Sequence, residues 1–236
     1  MALVKYGAGV IQISGSIAGD VHARNRFGNY IRPRTKPVNP HTPRQESARA
    51  IVSFLAERWH ADLDSVERGL WETYAAAIAM KNRLGETIHI TGFNHYIRTN
   101  SVRMGVALPV LDAAPALPSL PEKDPTLICS ADDVTGQTFI FTCENDGWEA
   151  NGDPKLFINL YQGVPQLPSR NSFKGPWRQM GVISIAEGIA GTATENASFS
   201  FTLGQKVWFQ ARLMTVSGRL SQAWQLAPKT IEDDAP

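Results

Sequence analysis

The apolar positions of this chain change period twice. Between residues 7 and 36 they are sparse and punctuated by glycine: Val10, Ile11 and Ile13, then Gly15, Ile17, Gly19 and Val21. Glycine permits positive φ and close backbone approach but weakens a strand. Arg26-Phe27-Gly28-Asn29 reads as a turn between Val21-His22-Ala23-Arg24 and Tyr30-Ile31-Arg32. The pattern predicts a β-hairpin or looped arm over residues 1–41. An isolated hairpin is marginal in water, so this arm needs a surface to pack on. Pro33, Pro37 and Pro40 then enforce an extended run.

From residue 42 the spacing is helical. Thr42-Pro43-Arg44-Gln45 matches a capping box with proline at the first helical position. Ala48, Ile51, Val52, Leu55 and Trp59 follow on one face, which predicts a helix over about 42–60. Asp64 and Glu67 offer a second cap. The face of Val66, Leu70, Trp71, Tyr74, Ala75 and Ile78 predicts a helix running to about 82 and ended by Gly85. A third helix is expected from Thr91, with Phe93, Tyr96, Ile97 and Val102 inward. Residues 42–107 are therefore a helical segment.

Pro109, Pro115, Pro118, Pro121 and Pro125 make residues 108–125 a semi-stiff extended linker and the expected domain boundary. Beyond it the period falls to two. Leu127-Ile128-Cys129 and Thr138–Cys143 flank a turn at Asp132 to Gly136. Further strands are expected at 155–161, 179–185, 197–203, 206–216 and 220–226. Seven short strands in this span predict an Ig-like or fibronectin-type β-sandwich over 126–228, followed by an acidic tail over 229–236. The fold class expected is thus α+β and multidomain: an N-terminal β-hairpin arm, about three helices and a C-terminal all-β sandwich.

Charge sharpens this picture. The net charge is only +1, but residues 1–60 carry nine Lys/Arg against three Asp/Glu, and residues 121–236 carry nine against thirteen. A basic end and an acidic end attract one another between neighbouring copies. Arg24, Arg26, Arg32, Arg34 and Lys36, interleaved with Phe27 and Tyr30, are the sharpest local signal. Such a cluster suits either nucleic-acid phosphates or carboxylates of an adjacent subunit. The modest overall charge favours the second. No signal-peptide pattern and no apolar run of membrane-spanning length occur.

Candidate chemistry is thin. The five histidines are scattered, no Gly-x-Ser-x-Gly occurs, and the N-terminal glycines lack the Lys-Ser/Thr ending of a phosphate-binding loop. Asp132-Asp133 and Asp233-Asp234 read as a solvated turn and a charged tail. No catalytic residue, cofactor or metal site is expected. Trp148, Trp177, Trp208 and Trp224 serve the core or an interface, or else a sugar-binding platform if they lie exposed. The midpoint of Cys129 and Cys143 falls at Gly136, inside the expected turn, so a symmetric hairpin sets them face to face, where a disulfide can form if their Cα atoms come within about 7 Å.

Leu203-Gly204-Gln205-Lys206-Val207-Trp208-Phe209-Gln210-Ala211-Arg212-Leu213, followed by Val216-Ser217-Gly218-Arg219-Leu220-Ser221, resembles strands F and G of fibronectin type III domains. Those domains usually place a tyrosine where Val207 stands. The layout from Gly19 through Gln45, together with residues 203–221, also resembles a group of uncharacterised bacterial and phage proteins. These share a glycine-punctuated N-terminus, a basic hairpin, a proline-rich turn ending in Thr-x-x-Gln, an amphipathic helix and an Ig-like C-terminal domain. The resemblance implies a structural role and no active residue.

The expectation is a non-enzymatic subunit of a self-assembling particle, a phage virion above all (capsid, decoration or tail). It would be made in the host cytoplasm and assemble through its arm: Val10, Ile11, Ile13, Ile17, Arg24, Arg26, Phe27, Tyr30, Arg32 and Arg34. Its partners would be copies of itself and other particle proteins, not a membrane, with nucleic acid the less favoured partner. The alternative is a glycan- or surface-binding module that uses the sandwich.

Overall fold

A computed structural model describes residues 2–26, 28–82, 84–148 and 152–232. The protein is α+β, with helices and antiparallel sheets. It divides into two compact units, Met1–His95 and Tyr96–Pro236.

The first unit begins with a four-stranded antiparallel sheet of β1 (Ala2–Val4), β2 (Gly15–Ile17), β3 (Asp20–Asn25) and β4 (Gly28–Pro33), in the order β1-β4-β3-β2. The expected hairpin is β3–β4, closed where Asn25 pairs with Gly28. Two short strands on its flanks were not visible in the sequence.

Helix α1 (Pro43–Ala61) starts where the cap predicts, the Thr42 hydroxyl accepting from the Gln45 N–H. Helix α2 (Ser65–Ala77) carries a full capping box between Asp64 and Glu67. It stops short of the expected residue 82. Ile78 turns extended, and a small hairpin follows, β5 (Met80–Lys81) with β6 (Thr87–Ile88). Asn82 Oδ1 accepts from the N–H groups of Leu84 and Glu86, and Gly85 takes φ +79° as a turn residue rather than as a helix cap. Leu55, Trp59, Leu63, Trp71, Tyr74 and Ile78 form the buried interior of this unit. Helix α3 (Gly92–Gly105) can begin against α2 only because Gly92 has no side chain; a Cβ there would lie 2.6 Å from the Glu72 backbone nitrogen.

The boundary between units falls inside α3, not in the proline-rich run. Residues 108–125 are not a free linker but are bonded into the second unit. Asn100 exchanges two hydrogen bonds with the Leu111 backbone, Arg103 Nε donates to Pro109 O, and Tyr96 donates to Asp112. These contacts come from polar residues of α3, which the apolar pattern passes over. Further along, Arg98 donates to the carbonyls of Leu220 and Ser221, and Thr99 to that of Gly218.

Strands β7 (Ile128–Asp133), β8 (Thr138–Thr142), β9 (Lys155–Gly163) and β10 (Trp177–Ser184) lie near their expected positions. A short helix, α4 (Ile185–Ala190), and β11 (Thr192–Asn196) come next. The expected strand at 197–203 is absent because side chains take its backbone groups. Gln162 binds the Ser198 and Phe199 backbone, and Gln137 binds both backbone groups of Phe201. The expected strand at 206–216 switches partners at Trp208. Its first part, β12 (Lys206–Val207), pairs with β15 (Lys229–Thr230), and its second, β13 (Phe209–Thr215), pairs with β9. Of the strand expected at 220–226, only β14 (Trp224–Gln225) forms, since the Ser221 hydroxyl replaces a ladder bond to Leu213 N. The acidic tail begins later than expected, because Lys229–Thr230 is paired and Ile231 is 1% exposed.

Sheets β10-β9-β13-β14 and β11-β8-β7 share one core. Phe139 lies 4.4 Å from Phe201 and 4.8 Å from Phe209, ring centroid to centroid. Val207, where a tyrosine was the reference, is fully buried. The outer face of the first sheet carries a smaller cluster, Phe157, Met214 and Leu220, covered by Val102, Val106 and Leu108.

Candidate assembly surface

The four-stranded sheet of the arm has no buried described residue on either face. Pairing places Val4, Ile17, His22, Arg24 and Ile31 on one side and Leu3, Val21, Ala23, Tyr30 and Arg32 on the other. Among the described residues none before Leu55 is buried. Of the arm's apolar residues, Ile11 is 92% exposed, Ile17 56% and Val10 43%, while Ile13 and Tyr30 are half-buried. Phe27 lies outside the described residues. Among the described residues, nine of the sixteen exposed large apolar side chains belong to the first unit, Phe54, Val66 and Leu70 among them. A sheet with so little buried surface gains little from the hydrophobic effect on its own.

The four arginines are exposed but do not form one patch. Arg24 and Arg32 point to opposite faces, Arg26 sits in the turn, and Arg34 follows β4. Arg24 Nη1 donates to Gln12 Oε1 at 3.3 Å, which sets a cation beside the Val10–Ile13 segment. A cleft of about 460 Å³ runs past Leu3, Tyr6, Val10, Ile11 and Leu84, and Lys5 pairs with Glu86 at its rim.

The second unit spends much of its acidity internally. Asp124 accepts from Lys155 Nζ at 2.7 Å and from Thr126. Burial alone would raise the Asp124 carboxyl, but Lys155 and Thr126 outweigh it and hold it below the ordinary carboxylate range. Asp153 is held by Ser217 and Arg219 and is lowered in the same way. Both line a cleft of about 580 Å³ beside Ser119–Pro125. Carboxylates saturated with donors and shifted down are structural ties; a general acid needs the opposite shift. Asp132, expected in a solvated turn, is fully buried near Lys229, and Asp133 instead caps the turn through Gly136 N. Asp233 and Asp234 lie outside the described residues. Exposed acids remain at Glu122, Glu144, Asp146 and Glu232.

The remaining candidates fall in the interior. Trp148 and Trp208 are buried, and Trp177 and Trp224 are half-buried. Trp208 stacks on Phe173 at 5.7 Å, and Trp177 meets the same ring edge-on at 5.0 Å. His95 is buried with its ring 5.2 Å from Tyr74. Cys129 and Cys143 are not joined by a disulfide. A bulge after Cys129 sets that residue opposite Phe141, so Cys143 lies two positions beyond the face-to-face register. Burial raises the Cys143 thiol above its ordinary value. No described helix is long and apolar enough to cross a membrane.

No family model and no curated protein matches the chain. Among solved structures it is similar to the twitchin kinase region from C. elegans, at 14% identity and a TM-score of 0.34. That match covers 49% of this chain and spans only 17% of the twitchin structure.

Proposed function

We propose that the protein is a non-enzymatic structural subunit of a self-assembling particle, a phage virion component, and that its N-terminal sheet is the assembly element. The observation that carries this reading is the arm itself. It is a four-stranded sheet with exposed isoleucines and arginines and with no buried residue among those described. Such a sheet is stabilised when a neighbouring subunit covers it. The acids at Glu122, Glu144, Asp146 and Glu232 give a neighbour complementary charge.

In this reading the second unit is an Ig-like sandwich of the fibronectin type III kind. Its strand neighbours support that. Strand β8 lies between β7 and β11, as B lies between A and E, while β13 lies between β9 and β14, as F lies between C and G.

Deleting residues 2–36 tests the proposal. The second unit's core lies outside the deletion, so the product should remain folded by circular dichroism. In sedimentation it should run as a monomer where the full chain associates. A truncated chain that assembles normally would refute the role of the arm; one that unfolds would assign the arm to its own chain's core.

A further inference from the structure

Strand β10 is an edge of its sheet, with β9 on one side and no strand on the other among the described residues. An edge strand offers its outward backbone groups to any further strand. Here three of β10's backbone groups are taken by side chains instead. Val182 N donates to Glu195 Oε1 at 2.8 Å, and Gln179 O accepts from the Ser198 hydroxyl at 2.7 Å. Two residues beyond Val182, and so on the same side of the strand, Ser184 N donates to Glu187 Oε2 at 2.8 Å. That last bond belongs to the capping box of α4, which ends the strand, and a bulge between Gln179 and Gly181 breaks its register.

The placement of Glu195 is specific. It pairs with Phe139 in the register of β11 and β8, and Phe139 is fully buried in the shared core. Glu195 therefore faces inward, and its carboxylate crosses from the edge of one sheet to the edge of the other. Glycine at 181 makes the room, since a Cβ there would lie 1.8 Å from Glu195 Oε2. Burial lifts the Glu195 carboxyl above its ordinary range against the Val182 hydrogen bond, and the charge of Glu187 adds to the rise. A carboxylate held in this way costs the fold stability at neutral pH. An aliphatic side chain at 195 would avoid that cost but would leave the Val182 N–H open to a neighbour.

We infer that Glu195, with Ser198 and Glu187, is a self-blocking contact that closes the β10 edge, and that without it the second unit pairs with a second copy of this chain along β10. An incoming strand has to displace the Glu195 hydrogen bond and bury its charge beside the core. Once freed, the same edge on two copies is self-complementary across a two-fold axis. The contact confines association to other surfaces of the protein, and it stands whether or not the arm is the assembly element.

Amide exchange and sedimentation of full-length variants test the inference, with native tryptophan emission as the check on folding. In dilute Glu195→Ala/Ser198→Ala the Val182 N–H should exchange at least about tenfold faster than in wild type. As concentration rises, the weight-average mass of this variant should climb above that of wild type. Gly181→Ala evicts the carboxylate while keeping both side chains, and it should do the same. Glu195→Gln retains an acceptor and should hold Val182 exchange near the wild-type rate. Adding Gln179→Lys, at an exposed position of the edge, to the double variant should restore the wild-type mass. A folded double variant that keeps the wild-type mass at every concentration overturns the inference, as does added association that survives Gln179→Lys. Should the double variant lose native emission, Gly181→Ala and Ser198→Ala alone decide by the same two readouts.

Discussion

Replacing Arg219 with alanine tests how the second unit holds its proline-rich segment. The guanidinium donates from Nε to Asp153 Oδ2 at 2.7 Å and from Nη1 to the Ser119 hydroxyl at 3.0 Å. The Arg219 and Asp153 side chains are 11% and 8% exposed. Removing one partner of a nearly buried pair leaves a charge out of water, at a cost of about 3–5 kcal/mol. That is a large share of the roughly 5–15 kcal/mol by which a domain is stable. Ser217 still donates two hydrogen bonds to Asp153, so the lower end of the range is expected. Replacing Asp153 and Arg219 together removes the stranded charge, and the double variant should cost at least about 1 kcal/mol less than the two singles added.

Urea unfolding followed by tryptophan emission measures this, because Trp148 and Trp208 are buried and redden on exposure. Acidification supplies an independent check on the sign. The Asp153 carboxyl is lowered in the folded protein, so its contribution is complete above the ordinary carboxylate pKa. It is lost as pH falls through the lowered folded value. The Arg219→Ala penalty should therefore be full at neutral pH and shrink in acid. A neutral-pH penalty below about 1 kcal/mol, or one that grows on acidification, would refute the reasoning.

Two other outcomes follow from the packing. Gly188→Ala would place a methyl 2.2 Å from the Trp148 ring, so it should destabilise by about 1–3 kcal/mol in thermal melts although alanine is the better helix former. Trypsin should cut the isolated chain first after Arg34, in the fully exposed run of residues 34–42, and not within 108–125, whose backbone is bonded to α3 and whose Asp124 side chain is bonded to Lys155 of β9; peptide mass mapping reads the order.

What the sequence made legible follows the range of each signal. Local chemistry was readable. Thr42 and Asp64 marked the starts of α1 and α2 within a residue, and the turn before Gly28 closed the β3–β4 hairpin. Alternation located β7 to β10 because each buries one face in the shared core. Several of the misses share one cause, polar side chains substituting for backbone ladders. Gln137 and Gln162 take the backbone of 198–201, and Ser221 takes Leu213 N, so apolar segments that scan as strands are not strands. The supposed linker failed for the same reason. Five prolines forbid regular structure there, but they do not forbid attachment, and Asn100 and Arg103 attach it.

The candidate interface divides along the same line. The arm was visible because its two signals, apolar residues without a core and arginines without nearby acids, are both local to about thirty residues. A donor segment can be written in one stretch of chain, whereas the site that receives it needs several elements at once. The bulk acidity of residues 121–236 was thus a poor guide to where the arm's cation should go. Asp124, Asp132 and Asp153 have lysine or arginine partners within their own unit. The acids left exposed among the described residues are Glu122, Glu144, Asp146 and Glu232, so the total overstates the charge this unit presents outward.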